Sequence, residues 1–561
     1  MKQIRELILK YALQNAILHE GKAHLGAVIG KLIAEDPSLK SKLTEIKFDV
    51  DAIVKEVNSI SMEKQLSQLR ELAPELLEKK KKDEEPKLAE LPHAKKEKVI
   101  MRFEPSPTGA LHIGHALVLL LNSEYCKKYA GKLILRIADT NPVDVYKPAY
   151  KLIEEDARWL ASNISKVLYQ SDNIEDYYKV ALELLKTGKV YVCTCNSQKF
   201  KELVERGKPC PCREISNEEN LNRWKLMHSL RGYKTGQAVI RVRTDLKLRN
   251  PALRDWPAFR ITTSKHPRVG KKYKVWPLMN FAVAVDDHAQ GVTHVIRGKD
   301  HIVNTERQLF IYKYMAWKAP EFIHVGRINF KNMKLSASET REAIESGHYE
   351  GWYDIRLPFI QALRRRGIQR DAFVKYAISV GLSKVDKTVE YSEFMQTIYS
   401  YNKEIVEPKA NRYFFVADPV KISVENAPKM KAELELHPSV SRGKRKFTTT
   451  GEFYISKEDF NTIQERRIYR LMNLFNFSQE GGKFKFHSRE LDPKLQARLI
   501  HWLPTDEKQI AKAKVLLPDA KFVSGFCEIG IKKLNKGQVV QFERFGFCCS
   551  QGRNEFWYGH R

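Results

Sequence analysis

The sequence contains no apolar run near the ~20 residues that a membrane-spanning helix needs. Its opening, MKQIRELILKYALQNAILHEGK, is interrupted by Arg5, Glu6 and Lys10. That pattern reads as an amphipathic helix rather than a signal peptide, so a cytoplasmic protein with no membrane partner is expected. Cysteine is scarce. Eight in 561 residues are too few for a disulfide-held scaffold. No internal repeat is found, which argues against a solenoid. Acidic residues fall short of basic ones, 68 against 97, giving a net charge of +29. Such an excess suits a polyanionic partner such as RNA, DNA or an acidic surface. A solvated basic surface, or adaptation to heat or salt, would give the same count. The length excludes one ordinary core, and several domains are expected.

Helical periodicity fills residues 1–78, as in IRELILKYALQNAILHE, and a low-complexity charged tether follows over 79–98. VIMRFEP then reads as a strand, HIGHALVLLLNSEYCKKYA as a helix, KLILRIADT as a second strand and YKPAYKLIEEDARWLASNI as a second helix. This alternation predicts a parallel α/β sheet over 99–189. VWPLMNFAVAVDDHAQGVTHVIRGKDH resumes the apolar strand pattern, so the sheet should continue over 276–339, with 190–275 as an insertion. Helices are expected over 340–410. From 411 to 561 many short alternating runs bounded by Gly, Pro and Asn predict an all-β region.

Between the first strand and helix lies PSPTGALHIGH: Pro105, Ser106, Pro107, Thr108, Gly109, Ala110, Leu111, His112, Ile113, Gly114 and His115. A tight turn before a helix brings backbone and unpaired N–H groups to a phosphate. His112 and His115, three apart, share one face of the first helical turn. Two imidazoles there can stabilise charge on a reacting phosphate. On spacing alone an ordinary strand-to-helix turn fits equally well. Cys193, Cys195, Cys210 and Cys212 form two CxC pairs fourteen residues apart. Four thiolates so spaced suit a structural tetrahedral Zn²⁺ with no position open to water; four free thiols are the alternative. Cys126, Cys527, Cys548 and Cys549 show no such spacing.

RFEPSPTGALHIGHA resembles the HIGH motif of class I aminoacyl-tRNA synthetases in its glutamyl and glutaminyl branch. GKAHLGAVIGKL, YVCTCNSQKFKELVERGKPCPCR, NPALRDWPAFRI, ANRYFFVADPVKI and VVQFERFGF are similar, in the same order, to archaeal-type glutamyl-tRNA synthetases over nearly the whole chain. The resemblance implies a multidomain α/β protein. Its Rossmann-type catalytic domain is split into 99–189 and 276–339 around a zinc-bearing acceptor-stem insertion (190–275). A helical N-terminal extension and a charged linker precede it; a helical connector and C-terminal β-barrels that read the anticodon follow. It implies ATP with Mg²⁺, glutamate and tRNA(Glu) as substrates, with tRNA(Gln) open as a second acceptor. Nothing demands more than a monomer. KLSAS, residues 334–338, resembles the family's mobile KMSKS loop, with Lys334 and Ser336 in register and Ala337 where a second lysine belongs. Lys331 or Arg341 are the candidates to replace it. Arg102, Ser106 and Arg297 match positions that hold glutamate, and an arginine fork suits a side-chain carboxylate.

One further departure stands out. In LRIADTNP, residues 135–142, the family has an acid for the substrate ammonium where this chain has Ala138. Asp139 or Glu104 is expected to take that role. Ala138 and Ala337 together keep open a non-catalytic tRNA-binding paralogue, and a glutaminyl enzyme is the third reading. RRRGIQR (364–370) and SRGKRKFTTT (441–450) are candidate phosphate-contact clusters.

Overall fold

The computed structural model describes residues 2–19, 21–35, 39, 43–76 and 87–561. Part of the expected charged tether, residues 79–86, lies outside the described residues. The chain divides into two compact units, Met1–Lys87 and Leu88–Arg561.

The first unit is helical: Lys2–Leu18, Leu25–Glu35, Leu43–Ser59, Met62–Leu72 and a short 3-10 turn at Pro74–Leu76. Ile8, Ala12, Leu13 and Ala16 pack with Val28, Leu32, Val50 and Leu69 in its core. The fully buried Gln65 is accommodated because its Nε2 donates to the carbonyls of Val57 (2.8 Å) and Gly21 (3.0 Å).

The second unit begins with a parallel sheet. Strand Ile100–Phe103 pairs with Lys132–Ile137, which pairs with Ile164–Tyr169. On the other edge Thr293 donates its N–H to the Ile100 carbonyl (2.9 Å). This brings up the parallel pair His294–Gly298 and Glu321–Val325. Helix Ile113–Lys128 lies against the sheet through Leu117, Leu120 and Leu121, in one core with Met101, Leu133, Leu135 and Ile296. Residues read as continuing strand, from Met279 to Ala289, are instead a helix. Phe281 to Asp287 are all buried, so this stretch shows no solvent-facing side, and its two acids are paired internally. An uninterrupted apolar run does not by itself separate a buried helix from a buried strand.

The insertion is a four-stranded antiparallel sheet of Val190–Cys193, Val239–Val242, Pro257–Ile261 and Val275–Pro277. The following region contains helices Ala337–Glu345, Ile360–Arg365, Arg370–Val380 and Tyr391–Val406. It also contains the strand Lys387–Val389, which pairs parallel with Ile328–Phe330.

The C-terminal region holds two seven-stranded sheets. The first starts at Arg412–Tyr413 and ends at Phe415–Ala417. These are consecutive pieces of one run, so the sheet closes on itself. The second likewise starts at Arg498–Ile500 and ends at Leu503–Pro504. Both are barrels, and closure removes the exposed edges. Residues 419–504, which form the second, are inserted between the first two strands of the other barrel and the rest of it.

Candidate active site

The strand ends at Phe103, Ile137 and Gly298 surround a cavity of about 310 Å³. Parallel sheets bind ligands at this edge. Arg102, Glu104, Ser106, Thr108, Gly114, His115, Ala138, Arg297 and His301 line it. The turn expected to hold nucleotide and the arginines expected to hold glutamate therefore open onto one space.

The turn is fixed from several sides. The N–H of Leu111 donates to Asp156 (3.2 Å), on helix Ala149–Leu160. Burial pushes the Asp156 carboxyl up to about 7. Gly109 sits against the ring of Trp352, with no room for a Cβ. His112 is the N-cap of helix Ile113–Lys128. Its Nδ1 accepts from the N–H of Gly114 (3.1 Å), and His115 Nδ1 accepts from the N–H of His112 (3.4 Å). The rings stack with centroids 3.8 Å apart. Burial holds His112 well below its ordinary range, with His115 adding to the effect, and brings His115 down to about 4. Both imidazoles are thus neutral near pH 7. With Nδ1 accepting, the proton of each resides on Nε2.

At the strand ends beside the turn a buried ionic cluster joins the strands. Arg102 donates to both oxygens of Asp287 (3.2 and 3.3 Å). Arg136, fully buried, also pairs with Asp287 and donates to Glu104 (2.8 Å). Asp286 accepts from Tyr177 (2.7 Å), Gln170 (2.9 Å) and Asn173 (2.9 Å). Burial alone would raise Asp287, but Arg102 and Arg136 hold it below the usual carboxylate range. Arg136 loses by burial and gains more from Glu104, Asp287 and Asp286, so its cation is held firmly. The sequence offered one sign of this cluster: two adjacent acids inside the apolar run VAVDDHA.

Arg297 is different. Its Nη2 donates to Thr305 and to Gln308 (2.9 Å), and no carboxylate pairs with it among the described residues. Its Nε is buried without a partner. Burial, then the nearby Arg102 charge, pull it down to about 10.

Lys334 is exposed and paired with Glu339. Ser336 caps helix Ala337–Glu345, accepting from the N–H of Glu339 (3.3 Å). The side chain of Leu335 reaches toward Gly114, which brings this loop beside the HIGH turn. Lys331 pairs with Glu390 (3.6 Å) and Arg341 with Glu345 (3.8 Å).

Residues 98–404 match the model for the catalytic domain of class I tRNA synthetases (E and Q). Residues 410–496 and 499–551 match the two anticodon-binding domain models of the same group. The chain belongs to the class I tRNA synthetases of the E and Q branch. Similar members of this synthetase family include the glutamate–tRNA ligase of Pyrococcus abyssi, 46% identical with 97% of each chain covered. That of Methanocaldococcus jannaschii is 43% identical over 97% of each. That of Methanothermobacter marburgensis is 42% identical over the full length of both. Class I synthetases use ATP with Mg²⁺, and the neutral Nε2–H donors of His112 and His115 suit phosphate oxygens.

Outside the synthetase cavity, the Sγ atoms of Cys193, Cys195 and Cys210 lie within 4.8 Å of one another. Cys193–Cys210 are 3.9 Å apart and Cys195–Cys212 3.7 Å apart. A tetrahedron with Zn–S bonds of ~2.3 Å has edges of about 3.8 Å, so the donor set fits a metal. The other four cysteines are buried and free. Two expected phosphate-contact residues point inward instead. Arg366 donates to the Gly559 carbonyl (2.7 Å), and Arg445 is buried between Glu528 and Glu543 (2.7 Å each). Each of these arginines is a joint between elements rather than a surface charge. Phe542, Phe547 and Trp557 are likewise buried.

Proposed function

We propose that this chain activates L-glutamate with ATP and esterifies it to the 3′ end of tRNA(Glu). One observation supports the substrate above all: the carboxylate-free guanidinium of Arg297 lines the same cavity as the HIGH turn. A desolvated cation there favours an anionic side chain, because a guanidinium buried without an anion is costly. The names of the relatives favour the same substrate over the glutaminyl and non-catalytic readings.

In the first step the glutamate α-carboxylate attacks the α-phosphorus of ATP, and pyrophosphate leaves. His112 and His115 donate Nε2–H bonds to the oxygens that gain charge. Lys334, on an exposed loop beside them, balances the leaving phosphates, with Ser336 capping the helix behind it. Mg²⁺ accompanies ATP, held largely by phosphates and water. In the second step the terminal adenosine hydroxyl attacks the activated carbonyl and releases AMP. Arg102, Ser106 and Arg297 hold glutamate through both steps. Cys193, Cys195, Cys210 and Cys212 hold a structural Zn²⁺, which cross-links the acceptor-stem insertion and takes no part in the chemistry. The barrels read the anticodon, and the enzyme works as a cytoplasmic monomer.

Charging assays decide. Purified tRNA(Glu) and tRNA(Gln) are each offered with glutamate or glutamine, with His112→Ala as control. Glutamate-dependent charging well above the control supports the proposal. Charging with glutamine alone, or tRNA binding without turnover, overturns it. The tRNA(Gln) arm tells whether one or both acceptors are used.

A further inference from the structure

Two charged groups of the cavity lack a full partner. The first, Arg297, has Thr305 and Gln308 for company and no anion. The second belongs to the cluster in which Arg102 and Arg136 face Glu104, Asp286 and Asp287. It is traceable to an atom. Glu104 Oε1 accepts from Arg136 Nε (2.8 Å) and Gln170 Nε2 (3.1 Å). Its Oε2 lies 3.4 Å from Arg102 Nη2, a long contact from a nitrogen that also donates to Asp287 (3.3 Å).

Among the described residues, Glu104 is also the only carboxylate lining the cavity. Asp139, next along the neighbouring strand's exit, is fully buried elsewhere. Its oxygens accept from the Ser171 N–H (2.8 Å), Ser171 Oγ (2.7 Å) and Tyr150 Oη (2.7 Å). Ala138, which does line the cavity, has a methyl group and nothing to bond with.

We infer that Glu104 Oε2 receives the α-ammonium of the amino-acid substrate, in the space left by the short side chain of Ala138. The substrate is then held at both ends, cation to Glu104 and side-chain anion to Arg297. The three arginines and three carboxylates balance as a set, but an anionic α-amino acid would give Arg297 and Glu104 Oε2 the direct partners that they lack. This rests on the amino-acid substrate proposed above and adds the residue that reads its amine.

The test compares binding of L-glutamate and of glutarate, which lacks only the ammonium, by calorimetry. The proteins are the wild type, Glu104→Gln, Glu104→Asp and the double variant Glu104→Ala/Ala138→Asp. Wild type should prefer glutamate at least about tenfold. Glu104→Gln should weaken glutamate roughly 10- to 100-fold, the range of a charge-assisted bond, and leave glutarate and the KM for ATP unchanged. Glu104→Asp, which keeps the cluster's charge, should show an intermediate loss. The double variant should recover part of the preference by returning an acid from the adjacent strand. Equal weakening of both ligands, or of neither, overturns the inference. Should wild type bind another α-amino acid in place of glutamate, the substrate proposal falls, and the Glu104 variants are read with that amino acid and its deaminated analogue. Binding of no α-amino acid overturns both.

Discussion

Asp287 bridges Arg102 and Arg136, tying helix Met279–Ala289 to two neighbouring strands of the catalytic sheet at the cavity wall. A carboxylate this buried is retained because both cations face it. Removing it leaves two buried guanidiniums with Glu104 and the more distant Asp286 as their remaining anions. Asp287→Asn is expected to destabilise the second unit by about 3–5 kcal/mol. Thermal or denaturant unfolding measures this.

Arg297→Gln removes the cavity's unmatched cation and leaves Thr305 and Gln308 in place. Glutamate should lose roughly two to three orders of magnitude in kcat/KM. Glutamine should lose little. Glutamate- and glutamine-dependent ATP–pyrophosphate exchange, run side by side, separates this from general damage.

Lys334 is held by Glu339, five residues on and in the first turn of the following helix. Glu339→Gln frees the lysine while keeping the cap from Ser336. The expected result is a several-fold lower KM for ATP with glutamate binding unaltered. Lys334→Ala should instead lower kcat for adenylate formation by about 100-fold or more. Initial-rate kinetics with ATP varied show both.

Buried neutral histidines make the protein acid-sensitive. Burial brings His115, His228, His501 and His560 each to about 4 in the folded chain, against about 6.5 when unfolded. The unfolded chain therefore binds more protons between those values. The stabilisation is complete above about pH 6.5 and is lost progressively as pH falls toward 4. The melting temperature should drop between pH 7 and 5. His501→Gln, whose Nε2 keeps a donor for the Phe415 carbonyl, should flatten part of that slope.

About one equivalent of zinc per chain is expected on elemental analysis, lost in Cys193→Ser and Cys210→Ser. The variants should melt earlier and charge tRNA less well. Adenylate formation should change much less, since the cluster lies outside the catalytic cavity.

Much of this was legible before any coordinates. The α/β alternation is local, and strands such as Lys132–Ile137 and helices such as Ala149–Leu160 follow their patterns. The CxC pairs announce themselves by spacing, and the HIGH turn by its family resemblance rather than by spacing alone. What stayed hidden is long-range. The Asp287–Arg102 pair spans 185 residues, and nothing local in either segment selects the other. The Met279–Ala289 helix was obscured because burial on every side erases the amphipathic period. Glu104 and Asp139 stood equal as substitutes for an acid at 138. Only their surroundings separate them: Glu104 lines the cavity with a loosely held Oε2, whereas Asp139 is saturated by Ser171 and Tyr150.

The nested barrels impose an order on synthesis. The ring that begins at Arg412 cannot be completed until Glu555–His560 has left the ribosome, because that strand lies between two others in the middle of its sheet. The inner ring needs nothing beyond Pro504. It can finish folding while its host is still an open edge. A chain lacking Glu555–His560 would emerge with one finished ring and one sheet with unpaired, association-prone edges.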